Sequence, residues 1–338
     1  MAHGCFRQVR GQVLRNVEDA WLAHVWVFRE TERQDRYFYP ENQAKPRVSA
    51  LNKRDFMVLL HSLDDLRRWQ EEQGWSSRST GFVPTMGALH PGHASLIRRA
   101  AQSSDLVVVS VLVNPTQFNA ADDFERYPRT LELDCEKALK AGADAVFAPS
   151  AEELYGGTPK APPVHWGALT DGYEGAFRPG HFDGVVAVVD LLFAAVNPSL
   201  AVFGEKDLQQ VAVVKRLARE RHPTIEVVVA PLVREESGLA MSSRNARLGT
   251  EGLERALVLS RGLKQLVTRY RAGEALNLVL TEVAALLHQE EGVAVEYMDV
   301  VNAQSFERSV EDVTKDSYAV VAAEVNGVRL IDNMPLMG

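Results

Sequence analysis

From residue 57 onward the apolar positions fall into short runs that alternate with helical repeats. The clearest run is 106–113, Leu-Val-Val-Val-Ser-Val-Leu-Val, apolar at every position but Ser110. A parallel strand covered by helices on both faces has this continuous pattern, because neither side meets water. Shorter runs at 57–60, 80–83, 143–148, 200–203 and 225–229 read as further strands. Between them apolar residues recur at helical spacing, as with Leu96, Ile97 and Ala100 in 94–102, and Leu131, Cys135, Ala138 and Leu139 in 130–141. Helices are also expected at 185–196 and 208–219, and Ser62-Leu63-Asp64-Asp65 opens another with a capping box.

Strands alternating with helices predict an α/β fold with a doubly wound, Rossmann-like parallel sheet. Ligands of such sheets bind beyond the carboxyl ends of the strands, where the strand order reverses. After residue 240 the alternation stops. Two amphipathic helices near 251–271 and 274–289 precede strands near 293–301, 318–325 and 328–331, and Asn326-Gly327 marks a type I′ hairpin. This predicts a smaller α+β C-terminal domain, so the chain divides into 57–236 and 237–338.

Residues 1–56 do not share the pattern. They carry Arg7, Arg10 and Arg15 and a polar tract with Pro40 and Pro46, while early Glu18 and Asp19 and scarce Ser speak against a transit peptide. The expectation is a poorly ordered or wrongly assigned extension, with Met57 as the natural start. Hydrophobic content of 46% and charged content of 24% belong to an ordinary soluble globular chain. A net charge of −8 argues against general affinity for nucleic-acid backbone or anionic membrane. An anionic substrate therefore needs local cations. The two cysteines, Cys5 and Cys135, support neither a disulfide framework nor a zinc site and suggest a reducing compartment.

Local cations and helix termini converge on Val83-Pro84-Thr85-Met86-Gly87-Ala88-Leu89-His90-Pro91-Gly92-His93. A strand, a turn with two glycines and a helix start make an anion site, since backbone N–H groups can approach a phosphate and the helix end adds partial positive charge. His90 and His93 can donate to phosphate oxygens there. Phe203-Gly204-Glu205-Lys206-Asp207 ends another strand, with Lys206 suited to a phosphate and Asp207 to a ribose diol. Met241-Ser242-Ser243-Arg244-Asn245 offers two hydroxyls and a guanidinium in sequence. Asn114-Pro115-Thr116-Gln117 reads equally as a substrate-binding turn or as a plain Asn-Pro turn. Asp134, in the first turn of its helix, is the one acidic residue there considered as a Mg²⁺ ligand. Arg178-Pro179-Gly180-His181-Phe182 reads as a structural turn or lid edge.

His-x-Gly-His with Met-Ser-Ser-Arg resembles the paired signatures of the class I synthetase and nucleotidyltransferase superfamily. With Gln117-Phe118, Tyr127-Pro128-Arg129-Thr130, the 178–182 segment, Gln209-Gln210 and Arg329 to Asn333 in order, residues 57–335 resemble the pantothenate synthetase (pantoate–β-alanine ligase) family. That resemblance implies two steps: pantoate attacks the α-phosphorus of MgATP, and β-alanine then attacks pantoyl adenylate. It implies catalysis by His93, His90, Lys206 and Arg244, with His93 as proton donor. It places ATP against Met86, Gly87, Ala88, Leu89, His90, Pro91, Gly92, His93, Gly204, Glu205, Lys206, Asp207, Val233, Met241, Ser242, Ser243 and Arg244. Gln117 and Gln210 would bind pantoate, and Asp134 would help with Mg²⁺. It also implies a cytoplasmic homodimer with small-molecule partners only, with 57–236 binding ATP and pantoate and 237–338 as lid. Pro91, where the family commonly has an acidic residue, and Leu208, where an aromatic is frequent, are departures. The competing readings are a nucleotidyltransferase that stops at an adenylate, a nucleic-acid-binding module derived from a synthetase, and a non-catalytic binder.

Overall fold

The structure, a computed structural model, describes residues 26–29, 56–119 and 121–337. The extension expected over 1–56 otherwise lies outside the described residues. The strands are β1 (Trp26–Arg29), β2 (Phe56–Leu60), β3 (Thr80–Thr85), β4 (Leu106–Val111), β5 (Ala145–Phe147), β6 (Leu200–Gly204), β7 (Glu226–Ala230), β8 (Val293–Asn302), β9 (Ser317–Val325) and β10 (Val328–Pro335). The longer helices are α1 (Leu63–Gln73), α2 (Pro91–Ser103), α3 (Leu131–Ala141), α4 (His181–Val196), α5 (Leu208–Arg221), α6 (Gly249–Arg271) and α7 (Leu276–Gln289).

The first seven strands form one sheet in the order β1-β2-β5-β4-β3-β6-β7. Every pairing in it is parallel except that of β1 with β2. This is the Rossmann-like sheet that the alternating pattern predicts, with an antiparallel edge that the pattern did not reveal. Strand β4 is buried along nearly its whole length, as its continuous apolar run requires. It ends at Val111 rather than 113 because Pro115 can donate no ladder hydrogen bond and holds Asn114 extended outside the sheet. Ser62 and Asp65 close the expected capping box on α1.

The reversal of strand order falls between β3 and β6. These two strands pair only through Gly81–Leu200 and Phe82–Ala201, whereas β3 keeps pairing with β4 as far as Thr85. Pro84, with no N–H, sits on the stretch where β3 has already parted from β6. The two strands thus open a crevice at their carboxyl ends, which is where a doubly wound sheet holds its ligand.

Beyond residue 240, β8, β9 and β10 form a separate antiparallel sheet in the order β10-β9-β8. Helices α6 and α7 cover it through Leu259, Leu263, Leu266, Val279 and Val283, which join the strands in their own apolar core. Asn326 and Gly327 both have positive φ, +47° and +77°, as the type I′ turn demands. Helix α2 starts earlier than the apolar spacing indicated, at Pro91. Proline is at home there, since the N–H it lacks would have no helical partner and its φ already suits the helix.

Candidate active site

The loop from Met86 to His90 joins β3 to α2 and is shaped from outside. Asp134, on α3, accepts hydrogen bonds from the backbone N–H of Ala88 (3.0 Å) and Leu89 (2.7 Å), and from the Thr130 hydroxyl (3.1 Å). Lys137, one turn further on, donates to the Leu89 carbonyl at 2.6 Å. Gly87 has φ +81°, and a Cβ there would stand 3.0 Å from the Asp134 carboxylate and from Val111. Asp134 is wholly buried and its carboxylate clamps the loop through these three donors; its expected part in Mg²⁺ binding stays an expectation beside that role. Among the described residues, no group of three or more His, Cys, Asp or Glu side chains is placed to hold a metal.

Helix α2 opens with an unusual cap. The Gly92 N–H donates to His90 Nδ1 (3.1 Å) and the His90 N–H to His93 Nδ1 (3.3 Å). Two of the helix's orphan donors are thereby satisfied by imidazoles instead of carboxylate or hydroxyl oxygens. Because each Nδ1 accepts, each ring carries its proton on Nε2. Burial, and then Lys206, pushes His90 down to about 4; burial, and then the neighbouring His90 and Lys206, pushes His93 down to about 3. Both rings are therefore neutral at pH 7, in contact at a tilt of 38° with centroids 4.0 Å apart, and both line one cavity.

That cavity, about 210 Å³, lies at the crevice between β3 and β6. Its wall includes Met86, His90, Gly92 and His93 from the first loop, Gln117 from the turn after β4, and Gly204, Lys206, Asp207 and Gln210 from the β6–α5 junction. Val233, Met241, Ser242, Ser243 and Arg244 complete it from the connection toward the second sheet. Segments separated by more than a hundred residues are thus brought together. Gly87, Ala88, Leu89 and Pro91 are absent from the lining and set the loop's path instead. Glu205, expected with them, is also absent from the lining, and its carboxylate accepts from the Tyr318 hydroxyl (2.8 Å) and the Leu232 N–H (3.3 Å).

The Asn-Pro turn resolves into a fixed scaffold. Asn114 donates to Gln117 Oε1 and to the Gly184 carbonyl, and accepts from Thr116 and Tyr155. The Gln117 side chain lies against Met86 Sδ. The two consecutive glutamines divide their work. Gln210 lines the cavity, whereas Gln209 is buried and bonded to the carbonyls of Leu169 and Gly172 and to the Glu174 N–H.

Two residues take roles at the site that the sequence reading did not assign them. His181, read as a turn or lid edge, lines the cavity and donates from Nδ1 to the Gln117 carbonyl at 3.0 Å, so its Nε2 accepts from Arg178 at 3.1 Å. Burial, and then Arg178, pushes it down to about 3. Asn333, on β10, donates to the carbonyls of Glu205 (2.9 Å) and Lys206 (3.0 Å) and so anchors the Lys206 turn from the second sheet. Its motif position is visible in sequence, but nothing there tells which turn it meets.

Chemically the site offers neutral N–H donors from two imidazoles, an ammonium and guanidinium for phosphate charge, and uncharged amides for hydroxyl or carbonyl groups. A family model of pantoate-beta-alanine ligases matches residues 58–335. A pantothenate synthetase of Acidobacterium capsulatum is 47% identical over 266 residues, 78% of this chain and 87% of that one. One from Bacteroides fragilis is 42% identical over 283 residues, 82% of this chain and 98% of that one. The crystal structure of pantothenate synthetase from Thermus thermophilus superposes with a TM-score of 0.77 at 39% identity, covering 83% of this chain and 99% of that one. A Francisella tularensis pantoate-beta-alanine ligase, complexed with beta-gamma ATP and beta-alanine, gives 0.68 at 30% identity, covering 83% and 98%.

Proposed function

Since the chain belongs to the pantoate-beta-alanine ligase family, we propose a division of labour within its site for that family's reaction. The chain is an ATP-dependent ligase that condenses pantoate with β-alanine, giving pantothenate, AMP and pyrophosphate through pantoyl adenylate. In the first step a carboxylate oxygen of pantoate attacks the α-phosphorus and the bond to pyrophosphate breaks. In the second the β-alanine amine attacks the activated carbonyl, loses a proton, and AMP leaves. No covalent bond to the protein is required, so positioning and charge stabilisation carry the rate.

The observation that carries the assignment is the convergence of two neutral imidazoles, Lys206 and Arg244 on one cavity beside two uncharged glutamine amides. The Nε2–H groups of His90 and His93 are suited to the α-phosphate oxygens, where negative charge builds as the carboxylate adds. With pKa values near 4 and 3 they act as hydrogen-bond donors and not as imidazolium acids. Lys206, Ser242, Ser243 and Arg244 take the β- and γ-phosphates, Gly204 and Asp207 the ribose, and Val233 the adenine. Gln117 and Gln210 orient pantoate through its hydroxyls. ATP enters as its Mg²⁺ complex; the carboxylate on this wall is that of Asp207, which fits an ion carried mainly by phosphates and water.

Residues 57–236 bind ATP and pantoate in this reading, and 237–338 close over them as a lid. The family likeness also supports a homodimer, which a mass measurement in solution tests, and a cytoplasmic location. Among the described residues no helix is long and apolar enough to cross a membrane.

The decisive experiment is exchange of labelled pyrophosphate into ATP with pantoate present and β-alanine absent. Exchange dependent on pantoate and Mg²⁺ supports the adenylate step. AMP formation only when all three substrates are present, without exchange, would rule out a freely reversible adenylate.

A further inference from the structure

Beside the main cavity lies a second one of about 430 Å³, which shares Arg178, Lys206, Asp207, Ser242 and Arg244 with it. Asp123 lines only this outer space, from the short helix Ala121–Glu125. Its carboxylate bridges two guanidiniums: Oδ2 accepts from Arg244 NH2 and Oδ1 from Arg247 NH1, both at 2.9 Å. The two arginines stand three residues apart on the 3₁₀ turn Ser243–Arg247, a geometry in which side chains at that spacing eclipse each other. One carboxylate can therefore hold both.

We infer that Asp123 is a positioning residue for adenylation: it grips Arg244 from behind, out of the outer cavity, and fixes the guanidinium edge that faces the triphosphate. Arg247, which does not line the main cavity, serves as the other half of the grip and keeps the carboxylate aimed. The grip is delivered by a braced segment. Phe124, next in sequence, packs edge-on against Phe118 at 5.4 Å and lies under the Arg129 guanidinium at 5.1 Å. Tyr127 approaches Ser243 on the same turn, hydroxyl to hydroxyl at 3.5 Å. The attraction of the two arginines also outweighs burial and holds the Asp123 carboxyl below its ordinary range, so the negative charge persists in mild acid. Asp123 does not line the main cavity and meets Arg244 from the outer one.

This inference rests on the proposed use of Arg244 for the phosphates, and the test separates the two. Pantoate-dependent pyrophosphate exchange is measured for the wild type, Asp123→Ala, Asp123→Asn, Arg244→Ala and the Asp123→Ala/Arg244→Ala pair. A misplaced guanidinium should raise KM for ATP and for pyrophosphate and slow exchange by about 10–100-fold in Asp123→Ala, while KM for pantoate stays within twofold. Asp123→Asn, which keeps an acceptor for Arg244, should recover part of the loss. The double variant should be no slower than Arg244→Ala alone, because Asp123 works only through that side chain. Single-turnover aminolysis of preformed pantoyl adenylate should be unchanged, since pyrophosphate has already left. Unchanged exchange in Asp123→Ala, a lowered KM for ATP, or a double variant slower than Arg244→Ala would overturn the inference. A wild-type chain without exchange would overturn the reading of the site, and the inference with it.

Discussion

Substituting Gly92 by alanine should separate catalysis from stability. Gly92 is the second residue of α2, with helical backbone, so alanine is sterically acceptable to the main chain. The obstacle is the cap. A Cβ at this position would stand 2.8 Å from His90 Cε1 and 2.9 Å from His90 Nδ1, closer than carbon can approach. The His90 ring must swing away, losing the 3.1 Å bond from the Gly92 N–H and its tilted ring contact with His93. Loss of the cap costs about 1 kcal/mol. Replacing a first-turn helical glycine with alanine returns part of this, up to roughly 1 kcal/mol. The two offset to within about 1 kcal/mol, so Tm should move by no more than about 4 °C. The displaced Nε2–H, however, no longer meets charge that develops on phosphate, which should slow adenylation by about 10²–10³-fold. Pyrophosphate exchange and calorimetry on the same preparation give both readouts. A variant with wild-type exchange would show that His90 need not hold this ring position, and the donor argument would fail.

The same clamp-and-donor scheme predicts other variants. Asp134→Ala leaves the N–H groups of Ala88 and Leu89 without their acceptor, at about 1–3 kcal/mol for the buried Leu89 donor and less for the half-buried Ala88 donor, so Tm should fall and KM for ATP rise. The Mg²⁺ concentration for half-maximal activity should stay put; a clear rise would return Asp134 to the metal. His90 and His93 have folded pKa values depressed below the ordinary 6.5, so the unfolded chain protonates first. Their contribution to stability is complete above pH 6.5 and is lost as pH falls toward 4 and then 3. Proton NMR of the rings should accordingly show no midpoint near 6.5, and one there would remove the neutral-donor mechanism. Gln117→Ala should raise KM for pantoate with little change for ATP; lost ATP affinity would mean the two pockets have been exchanged.

Features that depend on neighbours in sequence were readable before the structure, because their physics is local. The apolar run of β4, the Ser62 capping box and the Asn326-Gly327 turn all belong to this class. So does the loop proposed to hold phosphate, whose glycines and histidines lie within one strand-to-helix junction. What stayed hidden depends on which way a side chain turns within an element already predicted. Gln209 and Gln210 differ by about 100° around their helix. Since α5 is buried on most sides, its apolar pattern carries no phase to tell the cavity-facing glutamine from the buried one. Glu205 and Lys206 pose the same difficulty in a single turn: the lysine enters the cavity and the glutamate reaches the second sheet. The clamp role of Asp134 was hidden for a related reason. An acidic residue in a first helical turn near phosphate chemistry suggests a cation, yet its partners are amides 46 and 45 residues earlier in the chain. Asp123 and Arg244, 121 residues apart, are likewise joined only by the fold. The groups proposed to be catalytic are thus local enough to be read as motifs, while the residues proposed to aim them are dispersed. Substitutions among the aiming residues should change KM and rate without touching any motif, which is why Asp123 and Asp134 are the variants that best test whether this site has been understood.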